Sequence, residues 1–217
     1  MTITVYGRAD SSNVQAVMWG AAELGLKVAR FDYGHRFGGN DTPEFLAMNP
    51  NGTVPVLRDG DLLLWESCAI LRYLAARHAD GGAFWPADPV ARAPVDQWAE
   101  WAKHTAATWF TVPVFWLKVR TPAAERDQAK LARNIAAFEA RLDILGAQIR
   151  AGPYILGPEL TLADIIAGHI LFRWFDMDIP RLPRVEIERY YEALADRPAF
   201  RAHVMVPYDA LRPASEG

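Results

Sequence analysis

From Asn49 to Leu74 the chain reads Asn-Pro-Asn-Gly-Thr-Val-Pro-Val-Leu-Arg-Asp-Gly-Asp-Leu-Leu-Leu-Trp-Glu-Ser-Cys-Ala-Ile-Leu-Arg-Tyr-Leu. This pattern encodes a hairpin that runs directly into a helix. Val54 to Leu57 is an apolar run with β-branched residues, Asp59-Gly60 supplies the positive φ of a tight turn, and Leu62 to Leu64 returns as the partner strand. Pro55 interrupts the pattern, because a proline has no N–H for a ladder and belongs at an edge, a bulge or a cis bond. Two readings stand: an edge-strand proline, or a cis Val54-Pro55 bond that turns the N–H and C=O of Val54 outward toward another extended backbone.

At Glu66-Ser67 the strand pattern stops and the helical spacing of Ala69, Ile70, Tyr73 and Leu74 begins, so Ser67 or its neighbour starts a helix. Capping alone accounts for a serine and an acidic residue at this point. The same groups also suit a ligand, with the helix end and the Ser67 hydroxyl on a carboxylate and Glu66 on an ammonium. A free amino-acid end carries both charges side by side.

The order Asn-Pro-x-Gly-x-Val-Pro-x-Leu, Asp-Gly, then Glu-Ser-x-Ala-Ile-x-x-Tyr-Leu resembles the thioredoxin-like N-terminal domain of cytosolic glutathione S-transferases. That resemblance implies an α/β thioredoxin-like domain over residues 1–79, a linker at 80–88 and an all-α bundle over 89–217. It also implies that Val54 pairs with the cysteinyl backbone of glutathione while Glu66 and Ser67 take its γ-glutamyl end.

Composition is compatible with that reading without pointing to it. A hydrophobic content of 51% is ample for a core, and the net charge of -3 comes with no basic stripe for nucleic acid. No apolar run is long enough to span a membrane. A single cysteine excludes an intramolecular disulfide framework, and no charged-then-apolar leader precedes the first strand, so a reducing, cytoplasmic setting is expected. Cys68 lies among apolar neighbours and is read as a small buried side chain. No metal cluster or organic-cofactor motif is present.

From the start, Thr2 to Tyr6 alternates as a strand, a polar loop covers Gly7 to Ser12, and an amphipathic helix runs from about Asn13 to Leu24, with Gly25 ending it. Ser12 and Gln15 have capping-box spacing, which makes Ser12 the structural cap and leaves Ser11 as the hydroxyl without a local role. The loop resembles that of serine-type glutathione transferases of the theta, phi and delta classes, whose catalytic serine lies five residues after a tyrosine-like strand position, as Ser11 follows Tyr6. Asn13 is the second candidate, by similarity to bacterial nu-like members that use a Thr-x-Asn. The Cys-x-x-Cys of thioredoxins is absent from Arg8-Ala9-Asp10-Ser11, as are the beta-class cysteine and histidine. The Ser-Ser-Cys of the zeta class is only half matched.

Lys27 to Phe31 reads as a second strand, and Asp32 to Thr42 as a Gly-rich connection to a short helix, Pro43 to Met48. By position in the family Asn40, with Thr53 beside it, would meet the glycyl carboxylate of glutathione. Both are neutral donors, so weaker binding is expected at that end. His35 and Arg36 are read as solvated loop charges.

Beyond His78 the pattern turns helical. One helix is expected over Val90 to Arg120 with a kink at Pro113, another over Ala123 to Ile149, and Thr161-x-x-Asp164 is a capping box before a helix Ile165 to Trp174. Two shorter helices follow, Arg184 to Ala195 and Pro198 to Val204, then an extended tail from Pro207. In the first long helix His104, Thr108, Thr111 and Phe115 fall along one face. By resemblance that face lines an apolar pocket for an aromatic or halogenated electrophile. Trp101, Trp109 and Trp116 are read as packing.

The expected function is conjugation of glutathione, as co-substrate, to a small hydrophobic electrophile by a homodimeric detoxification enzyme. Glutathione-dependent reduction of peroxides or disulfides is an alternative. So is a non-catalytic protein-binding platform of the same fold.

Overall fold

A computed structural model describes residues 3–78, 82–149 and 152–213. Its sheet has four strands in the order β2-β1-β3-β4, formed by Ile3–Tyr6 (β1), Val28–Phe31 (β2), Val56–Asp59 (β3) and Leu62–Trp65 (β4). β1 runs parallel to β2 and antiparallel to β3, with Val5 opposite Leu57. The predicted Thr2 lies outside the described residues. β3 begins at Val56, two residues later than the apolar run suggests, because Pro55 cannot donate to a ladder. The Val54-Pro55 bond is cis.

Two helices cover one face of this sheet, α1 (Ser12–Glu23) and α3 (Ser67–His78), while α2 (Pro43–Met48) occupies the predicted span. Val14, Val17 and Ala21 of α1 pack with Ile3, Val5, Leu57, Ile70 and Leu74. Each valine, leucine or isoleucine among these contributes about 1.5–3 kcal/mol by leaving water. The opposite side of α1 serves a second core. Ala16 and Trp19 belong to the helical region, where the Trp19 ring meets Phe200 edge-on at 4.9 Å. Glu23, at the end of α1, pairs with Arg197 at 2.5 Å. This double use fixes the N-terminus of α1 at the junction of the sheet and the helices.

The helical region comprises α4 (Pro89–Thr105), α5 (Gln128–Ile149), α6 (Leu162–Gly168), α7 (Leu171–Asp176), α8 (Val185–Ala195) and α9 (Pro198–His203). The expected single helix from Val90 to Arg120 divides. After Thr105 the chain widens into a π-helical segment, Ala106–Arg120, in which the Thr111 hydroxyl reaches the Ala106 carbonyl at 2.8 Å. Pro113 sits inside this segment, where its missing N–H removes one ladder bond. Residues 123–125 form a separate 3₁₀ turn before α5, and the expected Ile165–Trp174 helix breaks near Ile170.

Thr161 and Asp164 form the expected capping box. Asp164 is fully buried and accepts four bonds, from Ile155 N, Thr161 N, Thr161 Oγ1 and Tyr190 Oη, between 2.8 and 3.1 Å. The tail is not extended as expected, because the buried side chains of Tyr208 and Leu211 anchor it. Tyr208 Oη donates to Asp176 at 2.7 Å, and a 3₁₀ turn covers Asp209–Leu211.

Candidate active site

The junction at the start of α1 encloses a cavity of about 330 Å³, lined from the sheet side by the loop after β1 and from the helical side by the π-helical segment. Ser11, Asn13, Asn40, Thr53, Val54, Thr111 and Phe115 all line it. Residues as far apart in the sequence as Ser11 and Phe115 therefore meet on one surface because α1 is packed from both sides.

Ser11, not Ser12, is the N-cap of α1, with φ −88° and ψ 122°, and its carbonyl accepts the first helical bond from Gln15 N at 2.8 Å. The capping box predicted for Ser12 and Gln15 does not form. Gln15 is buried and turns instead toward Arg173, 3.4 Å away. The Ser11 side chain makes no capping bond, so its hydroxyl stays available at the positive end of a twelve-residue helix.

Asn13 is held differently. Lys103 Nζ donates to Asn13 Oδ1 and to Ser67 Oγ, each at 2.9 Å, and lies 3.9 Å from a Glu66 carboxylate oxygen. An ammonium has only donors, so the Asn13 oxygen must face it and the NH₂ group must face away. Ser67, as acceptor from Lys103, retains its O–H to give. Glu66 sits at φ 72°, a left-handed conformation that costs a non-glycine residue about 1 kcal/mol or more, just before α3.

Asn40 Nδ2 donates to the Gly52 carbonyl at 2.7 Å and keeps a second hydrogen. The Thr53 hydroxyl accepts from Asn49 at 3.2 Å, which leaves its own proton to donate. Cys68 is buried, and loss of hydration pushes its thiol up to about 11, so it stays protonated at neutral pH.

The predicted row His104, Thr108, Thr111, Phe115 is split. His104 and Thr108 face solvent, with the Thr108 hydroxyl 3.5 Å from His104 Nδ1, whereas Thr111 and Phe115 reach the cavity. The reason is the change of pitch after Thr105, since an i,i+4 face no longer stays in phase once the ladder widens. Trp109 lies under Arg141 and Trp101 against Trp98, both as packing. Trp116 is exposed beside Arg120 at the cavity rim.

The cavity also carries a group of arginines that the sequence reading does not include. Asp10, buried, pairs with Arg8 at 2.9 Å and with Arg36 at 2.7 Å, so Arg36 is not a merely solvated charge. Burial works against the Asp10 carboxylate, but the bonds from Arg36 and Arg8 outweigh it and hold the carboxyl below its usual range. Arg173, also buried, donates to the Asp10 carbonyl at 2.7 Å and lies over the Phe115 ring at 4.4 Å. Burial pushes its pKa down to about 10, and Arg8 adds to that. Lys103 and this arginine group were missed in the sequence. Lys103 had a readable signal, a cation beside the inward spacing Val95, Ala99, Ala102 of α4, while Arg173 had none, being 163 residues from its partner Asp10.

A four-stranded thioredoxin-like sheet joined to a helical bundle, with the cavity at the start of α1, defines the class. The model "Glutathione S-transferase, N-terminal domain" matches residues 1–76, and "Glutathione S-transferase, C-terminal domain" matches 114–204. The glutathione S-transferase GstB of Escherichia coli K12 is 38% identical over 207 residues, covering 94% of this chain and 99% of that protein. Glutathione S-transferase 3 of Zea mays is 33% identical, covering 93% of each. Among solved structures, the theta class glutathione S-transferase of Xanthomonas axonopodis pv. citri with glutathione bound superposes with a TM-score of 0.89 at 42% identity, covering 95% of this chain and 98% of that one. The chain belongs to the glutathione S-transferase family.

Proposed function

We infer that this chain is a glutathione S-transferase in which Ser11 stabilises the glutathione thiolate and the sulfur attacks an electrophilic carbon. The observation that carries the reading is the unengaged Ser11 hydroxyl at the start of α1, on the same cavity as Val54. The Val54 backbone would pair with the cysteinyl residue. Ser67 at the start of α3 would take the γ-glutamyl carboxylate with Lys103 behind it, Glu66 the ammonium, and Asn40 with Thr53 the glycyl end.

The magnitudes are sufficient. A hydrogen bond to a charged sulfur is worth about 1.5–3 kcal/mol and a helix end about 0.3–1 kcal/mol. At about 1.4 kcal/mol per unit these lower a thiol pKa of about 8.5 by roughly two units. The thiol proton leaves to solvent, the thiolate pair forms the C–S bond, and the leaving group departs with its own pair. Asn13, fixed by Lys103, is the supporting donor. We further propose the division into residues 1–79, 80–88 and 89–217, and a cytoplasmic homodimer that removes reactive electrophiles. The single cysteine and the absence, among the described residues, of a helix able to cross a membrane are compatible with this.

Calorimetric titration with glutathione tests the reading. Wild type should bind, and Ser67→Ala and Glu66→Ala should each weaken binding by about 10- to 100-fold, the worth of one charge-assisted bond. Unchanged affinity in both variants would overturn the assignment of the γ-glutamyl end.

A further inference from the structure

Four guanidinium groups gather around a single carboxylate at one end of the cavity. Arg8 and Arg36 are taken up by Asp10, but Arg120 lines the cavity and forms no ion pair with any described residue. Arg173 is buried on the same wall, bonded only to neutral oxygens, and its Nε is buried without a hydrogen-bond partner among the described residues. His35, also on the cavity wall, has its pKa lowered by burial and then by Arg120 and Arg8, so it is neutral at pH 7 and adds no further charge. Asp10 is already shared by Arg8 and Arg36, so Arg120 and the buried Arg173 have no carboxylate of their own, and a buried charge without a counter-ion is costly. A bound thiolate would offset one of them.

We propose that this end of the cavity, between Arg120 and Thr111 on the helical side and Arg8 on the loop after β1, receives a carboxylate carried by the electrophile. The inference rests on the glutathione-transferase reading and narrows its second substrate to a small anionic electrophile. A planar carboxylate accepts two parallel N–H bonds from a guanidinium, and Arg120 on this wall has its donors free of any carboxylate among the described residues. The exposed Trp116 ring at the cavity rim, beside Arg120, offers an apolar surface for the carbon skeleton. The carboxylate anchors the molecule while its reactive carbon faces the thiolate held at Ser11, and an anchored reactant loses less freedom on reaching the transition state.

The test compares 4-(chloromethyl)benzoate with 4-(chloromethyl)benzamide, which share a reacting carbon and a leaving group and differ in charge. In both, sulfur displaces chloride. For wild type the ratio of kcat/KM, benzoate over benzamide and divided by the same ratio without enzyme, should exceed about tenfold, and Arg120→Gln should bring it near one. A wild-type ratio at or below one overturns the proposal, as does a ratio that survives Arg120→Gln. If that variant instead raises KM for glutathione and leaves the ratio alone, the arginine holds a carboxylate of glutathione itself, and the proposal fails. Protein that binds glutathione but turns over neither compound overturns the proposal alone, whereas protein that binds no glutathione overturns the underlying reading with it.

Discussion

Two buried aspartates divide this molecule into a part that holds its shape and a part that acts. Asp164 sits at the start of α6 with four donors on two oxygens, all from neutral groups within 26 residues of it. Asp10 sits beside the start of α1 with two guanidinium groups on its carboxylate and a third on its carbonyl. The first network is closed, since its lone pairs are met by donors that need nothing more. The second is open, because its cations exceed its anion and face a cavity. A satisfied polar network specifies structure, and one with surplus charge beside a cavity marks a site for a ligand.

Breaking the closed network should have the largest effect on stability. Asp164→Ala strands four donors, and at about 1–3 kcal/mol for each unsatisfied group, partly relieved by relaxation, the loss should be about 4 kcal/mol in urea unfolding. Bound-thiol pKa in the fraction that still folds should match wild type. A loss below about 1 kcal/mol would remove the contrast from the closed side.

Breaking the open network should cost less stability and change its pH dependence. Asp10→Asn leaves Arg8 and Arg36 without their counter-charge, at a cost of about 3 kcal/mol at pH 7. Because the folded pKa of Asp10 lies below its unfolded value, its contribution is present above about pH 3.8 and is lost as pH falls through the folded pKa. Unfolding free energy measured from pH 6 down to pH 2.5 should therefore fall less steeply in Asp10→Asn than in wild type. Parallel curves would contradict the ion-pair account.

A smaller effect of opposite sign is expected at the ligand end. Glu66→Gly relieves the left-handed backbone at φ 72° and should raise stability by about 1 kcal/mol or slightly less, while weakening glutathione binding. A variant that gained stability and kept full affinity would show that Glu66 holds no part of the ligand.

The β3-β4 hairpin and the Thr161-Asp164 cap are legible in the sequence because each depends on neighbours a few residues apart, whereas Pro55 by itself leaves an edge strand and a cis bond both open. The hairpin from Val56 to Trp65, α2 and α3 follow from local turn chemistry and spacing. The helical face at His104 to Phe115 was misread because a change from α to π pitch alters phase without any composition signal other than Pro113. Ser12 was misread as the cap because Gln15, which has the right spacing, is drawn away by Arg173 from a distant helix. The same distance hid the arginine group. Arg8, Arg120 and Arg173 lie far apart in the sequence, and the two-sided packing of α1 brings them together.

The central claim, that Ser11 turns glutathione into a nucleophile, is tested most directly by the pKa of the bound thiol, followed as ultraviolet thiolate absorbance against pH in wild type, Ser11→Ala and Asn13→Ala. The account predicts a value roughly two units below that of free glutathione in wild type, a return most of the way to the free value in Ser11→Ala, and a smaller rise in Asn13→Ala. A pKa that stayed depressed in Ser11→Ala and returned only in Asn13→Ala would contradict it and transfer the role to Asn13.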